Sequence, residues 1–321
     1  MSIAGRAAMR AEWRAARLGI LFGLLVLCVA CRPHAPKVAD PRSPDERAWD
    51  AVHTLEGEEN LEAAAAGYRG LCEQQPPYVR ACFDLARVLY RLRSPEAARE
   101  VSVRTLLKYS EEGFAPSLVK RLAQSLRDTG EWDAGIAELE KLAEQLKDSE
   151  IFDTILFAAA RLARDGGDGA AEERLLRRIV ASHDRWESQL WDDAVWRLSQ
   201  ICREGGRTDD ELQWLGVLLN ARESSRLLGS YNSPHHDDAL YRAAQIHLER
   251  QELKSAYRLF LELSKISSAR LSDEGLVGAA EAAEAMGRVS KACELLMEAV
   301  EKDGTAKRDA LRKALSLQCE E

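Results

Sequence analysis

One stretch of this chain is written twice, and that duplication limits the folds open to it more than any other feature. Asp237-Asp238-Ala239-Leu240-Tyr241-Arg242-Ala243-Ala244-Gln245-Ile246-His247 repeats Asp192-Asp193-Ala194-Val195-Trp196-Arg197-Leu198-Ser199-Gln200-Ile201-Cys202. Self-similarity of this kind marks a repeat architecture, in which each unit is a helix pair that buries its apolar face only against a neighbouring unit. The composition agrees. Nine prolines in 321 residues, 46% apolar content and 31% charged residues, rich in Ala, Leu, Arg and Glu, favour an all-helical soluble body, and strand signals are nearly absent.

Short breakers separate the helical runs: Glu56-Gly57-Glu58, Gln75-Pro76-Pro77, Arg93-Ser94-Pro95, Glu112-Gly113, Thr129-Gly130, Gly166-Gly167, Gly205-Gly206, Gly287 and Asp303-Gly304. Runs of 12 to 18 residues divided by such turns are helical hairpins. The cleanest unit reads Ala279-Ala280, Ala283, Gly287, Ala292, Leu296, Ala299, and Leu122-Ala123, Leu126, Gly130, Trp132, Gly135, Leu139 follows the same template. This pattern resembles the tetratricopeptide repeat, with an apolar and a small residue in helix A, Gly at the turn and a small residue in helix B. Taking the second residue of each pair as a marker gives positions 52, 86, 123, 160, 199, 244 and 280, with spacings of 34, 37, 37, 39, 45 and 36. The resemblance implies an all-α, right-handed α-α superhelix of about seven hairpins, with Ala306–Cys319 as a C-terminal capping helix. The longest spacing holds an insertion, Asn220–His236, expected to extend helix B over Ala221–Leu228 and to end in a Gly229–Pro234 loop.

The first thirty residues are a different material. Arg6, Arg10, Arg14 and Arg17 precede an uncharged apolar run from Leu18 to Ala30, the layout of a secretory signal peptide and too short for a membrane span. Leu27-Cys28-Val29-Ala30-Cys31 is similar to the lipobox of bacterial lipoproteins, although Cys28 stands where Leu is usual. The resemblance implies cleavage before Cys31, lipidation of Cys31 and, with Arg32 following, an outer-membrane address facing the periplasm. The expected organisation is a signal peptide over 1–30, a lipidated cysteine and Pro-rich tether over 31–43, and the solenoid over 44–321. An uncleaved signal anchor or a plain secretory signal is the alternative. Ser43-Pro44-Asp45-Glu46 supplies an N-cap, a first-turn proline and a capping-box glutamate, so folded structure is expected from there.

The formal net charge is −8, and loss of the arginine-rich leader makes the mature chain more acidic. Such a body is repelled by phosphate backbones, which argues against nucleic acid and leaves membrane attachment to the lipid. Seven cysteines become five once the leader is removed and Cys31 is lipidated, so at least one thiol stays free. Cys72 and Cys82 flank a turn and form either a disulfide worth about 3 kcal/mol or a pair of small core hydrophobes.

Nothing in these motifs assembles a reaction centre. His235-His236-Asp237-Asp238 has metal-ligand residue types, but adjacent residues at a helix start do not converge on one ion, and first-turn acids are favoured there by the helix dipole. Asp165-Gly166-Gly167-Asp168-Gly169 lacks the Lys-Ser/Thr of a phosphate loop. Ser117-Leu118-Val119-Lys120 has no companion motif, and Glu187-Ser188 lacks the glycine-rich sequence that accompanies that pair in lytic transglycosylases. The expectation is a protein without catalytic activity, cofactor or metal and with no small-molecule substrate evident.

What remains is a surface. In helix A the repeat places Phe83, Phe157, Trp196 and Tyr241 at one register, Arg87, Gln124, Arg161, Gln200 and Gln245 one turn on, and Arg127, Arg164 and Arg203 a turn further. Spacings of i, i+4 and i+7 put each set on one helix face. Aromatic rings bind at low entropy cost, Gln bonds peptide backbone and Arg pairs with carboxylates. These twelve residues are the expected groove for a peptide or protein partner. Core packing of the aromatics is the competing reading. The carboxylate clamp of chaperone-binding relatives is not reproduced. The functional expectation is a scaffold or adaptor lipoprotein of the cell envelope; the alternatives are an accessory module of a cell-wall-processing system and an inner-membrane-anchored, chaperone-like protein.

Overall fold

A computed structural model describes residues 42–182, 188, 190–221, 223–225, 229–231, 233–266, 271–302 and 304–319. The signal peptide over 1–30, Cys31, the tether up to residue 41 and Glu187 lie outside the described residues. The chain divides into two units at Ala51/Val52. Of the first, only residues 42–51 are described; there Ser43 and Glu46 exchange the two hydrogen bonds of a capping box, Glu46 N to Ser43 Oγ at 3.1 Å and Ser43 N to Glu46 Oε2 at 2.6 Å.

The described residues hold fifteen helices. They are α1 (Pro44–Gly57), α2 (Leu61–Glu73), α3 (Val79–Arg91), α4 (Pro95–Lys108), α5 (Ala115–Thr129), α6 (Trp132–Gln145), α7 (Phe152–Gly166) and α8 (Gly169–Ser182). After these come α9 (Trp191–Glu204), α10 (Thr208–Asn220), α11 (His236–Glu249), α12 (Leu253–Ser264), α13 (Ser272–Ala285), α14 (Val289–Glu301) and α15 (Lys307–Ser316). Odd-numbered α1 to α13 are the A helices, even-numbered α2 to α14 the B helices, and α15 packs on α14 beyond the seventh hairpin. From Val52 onward the hairpins stack in chain order as an all-α superhelical fold.

Backbone geometry fixes the repeat. Seven residues after each marker the chain turns from helix A to helix B through positive φ, at Glu59, Arg93, Gly130, Gly167, Gly206, Gln251 and Gly287. Glycine is favoured in that conformation because it has no Cβ to clash, and four of the seven turns use it. Twelve residues after each marker, helix B holds Ala64, Ala98, Gly135, Glu172, Glu211, Ala256 and Ala292. A Cβ on Gly135 would lie 2.9 Å from Leu162 and 3.2 Å from Leu126, so close approach selects the small residue there. Both glutamates in this series are buried, a departure treated below.

The insertion corrects one expectation. Helix α10 stops at Asn220, capped by Ala221 N to Leu218 O, and the described residues of the expected extension, Ala221 and Glu223–Ser225, are not helical. Glu223–Ser225 (β1) instead pairs antiparallel with Gly229–Tyr231 (β2), in register Glu223 with Tyr231 and Ser225 with Gly229. Ser224-Ser225 and Gly229-Ser230 are poor helix formers and good turn formers, and continuing α10 offers no apolar stripe to bury. These six residues are the only strands among those described.

Two disulfides staple the second unit. Cys72–Cys82 joins α2 to α3 with Cα atoms 4.9 Å apart, and Cys293–Cys319 ties α14 to the residues after α15 with a Cα separation of 5.4 Å. Cys202 is a buried free thiol whose pKa burial pushes up.

Candidate interaction face

Close packing of A helix on A helix occurs at α3–α5, α5–α7 and α11–α13, while α9 is held between α8 and α10. The aromatic register therefore differs from unit to unit. Phe83 is buried, its ring 5.8 Å from that of Phe114, which is 46% exposed and carries the Arg80 guanidinium 5.6 Å above it. Phe83 is thus core, and Phe114 is the ring that meets solvent. Phe157 is half-buried. Half-buried Trp196 stacks nearly parallel on His235 at 5.4 Å, and His235 Nε2 lies 2.8 Å from Asp193 Oδ1. Half-buried Tyr241 meets Phe260 edge-on at 5.8 Å. His236, the next residue, is buried.

Most of the expected polar contact residues are engaged within the protein. Arg87 pairs with Glu56 and with Asp84, the latter at 2.6 Å; burial would lower its pKa, and these carboxylates more than reverse that. Arg127 binds Asp165 at 2.7 Å and Gln124 Oε1 at 2.7 Å, and Gln124 donates to Asp128. Gln200 accepts from Arg197, and Arg203 donates to Glu211 at 2.7 Å. Arg164 is exposed, 3.9 Å from Asp165. Arg161 is exposed, and Gln245 lines a cavity of about 510 Å³ with Tyr241, Phe260 and Glu281. The members of the expected groove that keep exposed surface without an ion pair holding them in place therefore include Gln124, Phe157, Arg161, Trp196, Tyr241 and Gln245, with exposed Arg164 beside Asp165.

Sequence reasoning missed the strongest polar device. Glu172 in α8 is 3% exposed and lies on Arg197 of α9, Nε to Oε1 2.7 Å and Nη2 to Oε2 3.2 Å. Glu211 in α10 is 1% exposed and makes the same two-pronged pair with Arg242 of α11, at 2.8 and 3.1 Å. Both arginines then reach a glutamate seven residues on in their own helix, Glu204 at 2.8 Å and Glu249 at 3.3 Å. Burial alone would raise the Glu211 pKa, but hydrogen bonds from Arg242 and Arg203 outweigh it and hold the carboxyl below its ordinary value. The signal was in the chain: a Glu where other units have a small residue, followed in the next unit by an Arg two residues before the marker.

Among the described residues no group of three or more His, Cys, Asp or Glu side chains is arranged to hold a metal ion, and no helix is long and apolar enough to cross a membrane. No protein-family model matches the chain, and no curated protein matches it. Solved structures do resemble it. The C-terminal part of a TPR repeat-containing protein from Cytophaga hutchinsonii is similar over 72% of this chain and 84% of its own, at 14% identity and TM-score 0.46. YrrB, described as a TPR protein with an unusual peptide-binding site, is similar over 67% of this chain and 99% of its own, at 12% identity and TM-score 0.42. Pseudomonas aeruginosa PilF is similar over 72% and 98%, at 12% identity and TM-score 0.39.

Proposed function

We propose that this protein is a non-catalytic scaffold of the bacterial cell envelope, anchored by a lipid on Cys31 and engaging protein or peptide partners over its A-helix face. The observation that carries the interaction reading is the pair of half-buried rings, Trp196 and Tyr241, at one register of the duplicated segment, each offering apolar surface beside polar groups. Envelope placement is supported by the leader and by cysteine usage: from Cys72 onward four thiols are bridged and the fifth is buried.

Crosslinking in cells followed by pull-down with the Trp196→Ala/Tyr241→Ala double variant tests the face. Capture of the crosslinked partner is expected to fall while the helical circular dichroism is unchanged; undiminished capture refutes this reading. Cys31→Ala tests the anchor separately, with loss of membrane fractionation and of lipid mass on the mature N-terminus as the expected result.

A further inference from the structure

The same register that carries Arg197 and Arg242 carries Arg121 in the third unit, two residues before the marker at 123. Its partner position in the preceding B helix, occupied by Glu172 and Glu211 at the later junctions, is here Ala98, fully buried. The acid seven residues on is Asp128, one methylene shorter than Glu204 and Glu249, and it accepts from Gln124 at 2.7 Å. Arg121 therefore occupies a carboxylate-binding register whose internal carboxylate is missing, and it has no hydrogen bond or ion pair among the described residues. It lines a cavity of about 330 Å³ together with Tyr90, Arg93, Gln124, Ser125 and Asp128. Arg93, at the turn between α3 and α4, likewise has no side-chain partner among the described residues.

We infer that this cavity binds a carboxylate presented by a partner, which pairs with Arg121 as Glu172 and Glu211 pair with Arg197 and Arg242. The chain itself shows what an arginine at this register accepts: a two-pronged carboxylate. Arg93 adds a second cation, so the cavity is lined by two positive charges against the single charge of Asp128. Pro95 contributes apolar wall for the carbon atoms next to the carboxylate. Nothing in this arrangement separates a chain-terminal carboxylate from a side-chain one, since both present the same planar oxyanion. The inference rests on the scaffold reading, because it supplies that partner's anchor.

The test titrates the full chain in detergent with three probes: N-acetyl-Leu-Gly with a free C-terminus, N-acetyl-Leu-Glu-amide, and the neutral N-acetyl-Leu-Gln-amide. At least one acid is expected to bind about tenfold more tightly than the neutral probe, and whichever does so identifies the source of the carboxylate. Arg121→Gln should remove that preference. Ala98→Glu should remove it too, by supplying the missing carboxylate internally, and Arg121→Gln decides the matter if the buried glutamate prevents folding. Equal binding of all three probes, an unchanged preference in Arg121→Gln, or binding of inorganic phosphate without either acid would overturn the assignment. If the acids fail while Trp196→Ala/Tyr241→Ala still abolishes partner capture, only this site is lost. If that double variant captures normally, it is the scaffold reading that fails.

Discussion

The fourth-to-fifth and sixth-to-seventh junctions of the stack place different residues at equivalent positions and solve the packing in opposite ways. In the first, Glu172 replaces the usual small residue of helix B, and Arg197 of the next helix A neutralises it. In the second, Ala256 keeps the small residue and Gly278 stands where the arginine would be, leaving room that Phe260 fills: a Cβ on Gly278 would lie 2.5 Å from its ring. One junction is held by a buried ion pair and the other by an aromatic ring on a bare backbone. A buried pair is costly to break and cheap to replace, because desolvation of both charges offsets most of their attraction. The repeat can therefore exchange one solution for the other, provided both positions change together.

The largest effect expected from breaking this comparison is Arg197→Ala, which strands a 3% exposed carboxylate whose described hydrogen bonds come from that one arginine. A loss of about 3–5 kcal/mol in urea unfolding is expected. Adding Glu172→Ala should restore most of it by removing the uncompensated charge, whereas strict additivity of the two losses would refute the account.

Arg242→Ala is expected to cost less, about 2 kcal/mol, because Arg203 still donates to Glu211 at 2.7 Å. This pair also sets a pH dependence. The folded Glu211 pKa is depressed, so its contribution is complete above the ordinary glutamate value and is lost as pH falls through the folded value. Arg242→Ala should accordingly flatten the acid limb of the stability profile; an unaltered limb would show that Glu211 does not shape it.

Gly278→Ala probes the other solution. The new methyl group meets the ring of buried Phe260, and overpacking of about 1–3 kcal/mol is expected from thermal or urea unfolding. Phe260→Leu in the same background should relieve part of the loss, and failure to do so would mean that the methyl group is accommodated elsewhere.

The hairpin count was legible because it depends on features that recur at fixed offsets, the marker pairs and the turns at Gly130, Gly167, Gly206 and Gly287. The turns at Glu59, Arg93 and Gln251 were not, since nothing local marks a non-glycine residue for positive φ. The interaction face was legible only as a set of registers. Phe83 shares its register with Trp196, yet Phe114 covers it, and a covering residue thirty-one positions away leaves no trace in the periodicity of α3. Helix spacing places Arg87 and Arg203 in the expected groove, but their carboxylates, Glu56 and Glu211, arrive from other helices. The expected extension of α10 past Asn220 gives way to a strand at Glu223–Ser225 for a related reason: helix propensity does not report what the extra turns would bury.

The smallest expected effect is the sharpest, because it compares one residue type at one register. Arg121→Gln should change stability by no more than about 0.5 kcal/mol, against the several kcal/mol expected for Arg197→Ala, since Arg121 has no carboxylate to strand and is exposed beside its cavity. Matched urea titrations of Arg121→Gln and Arg197→Gln remove any difference due to side-chain length. A large loss at Arg121 would mean that this arginine already holds the junction together. A loss near zero leaves its charge uncommitted within the fold and therefore available to a partner.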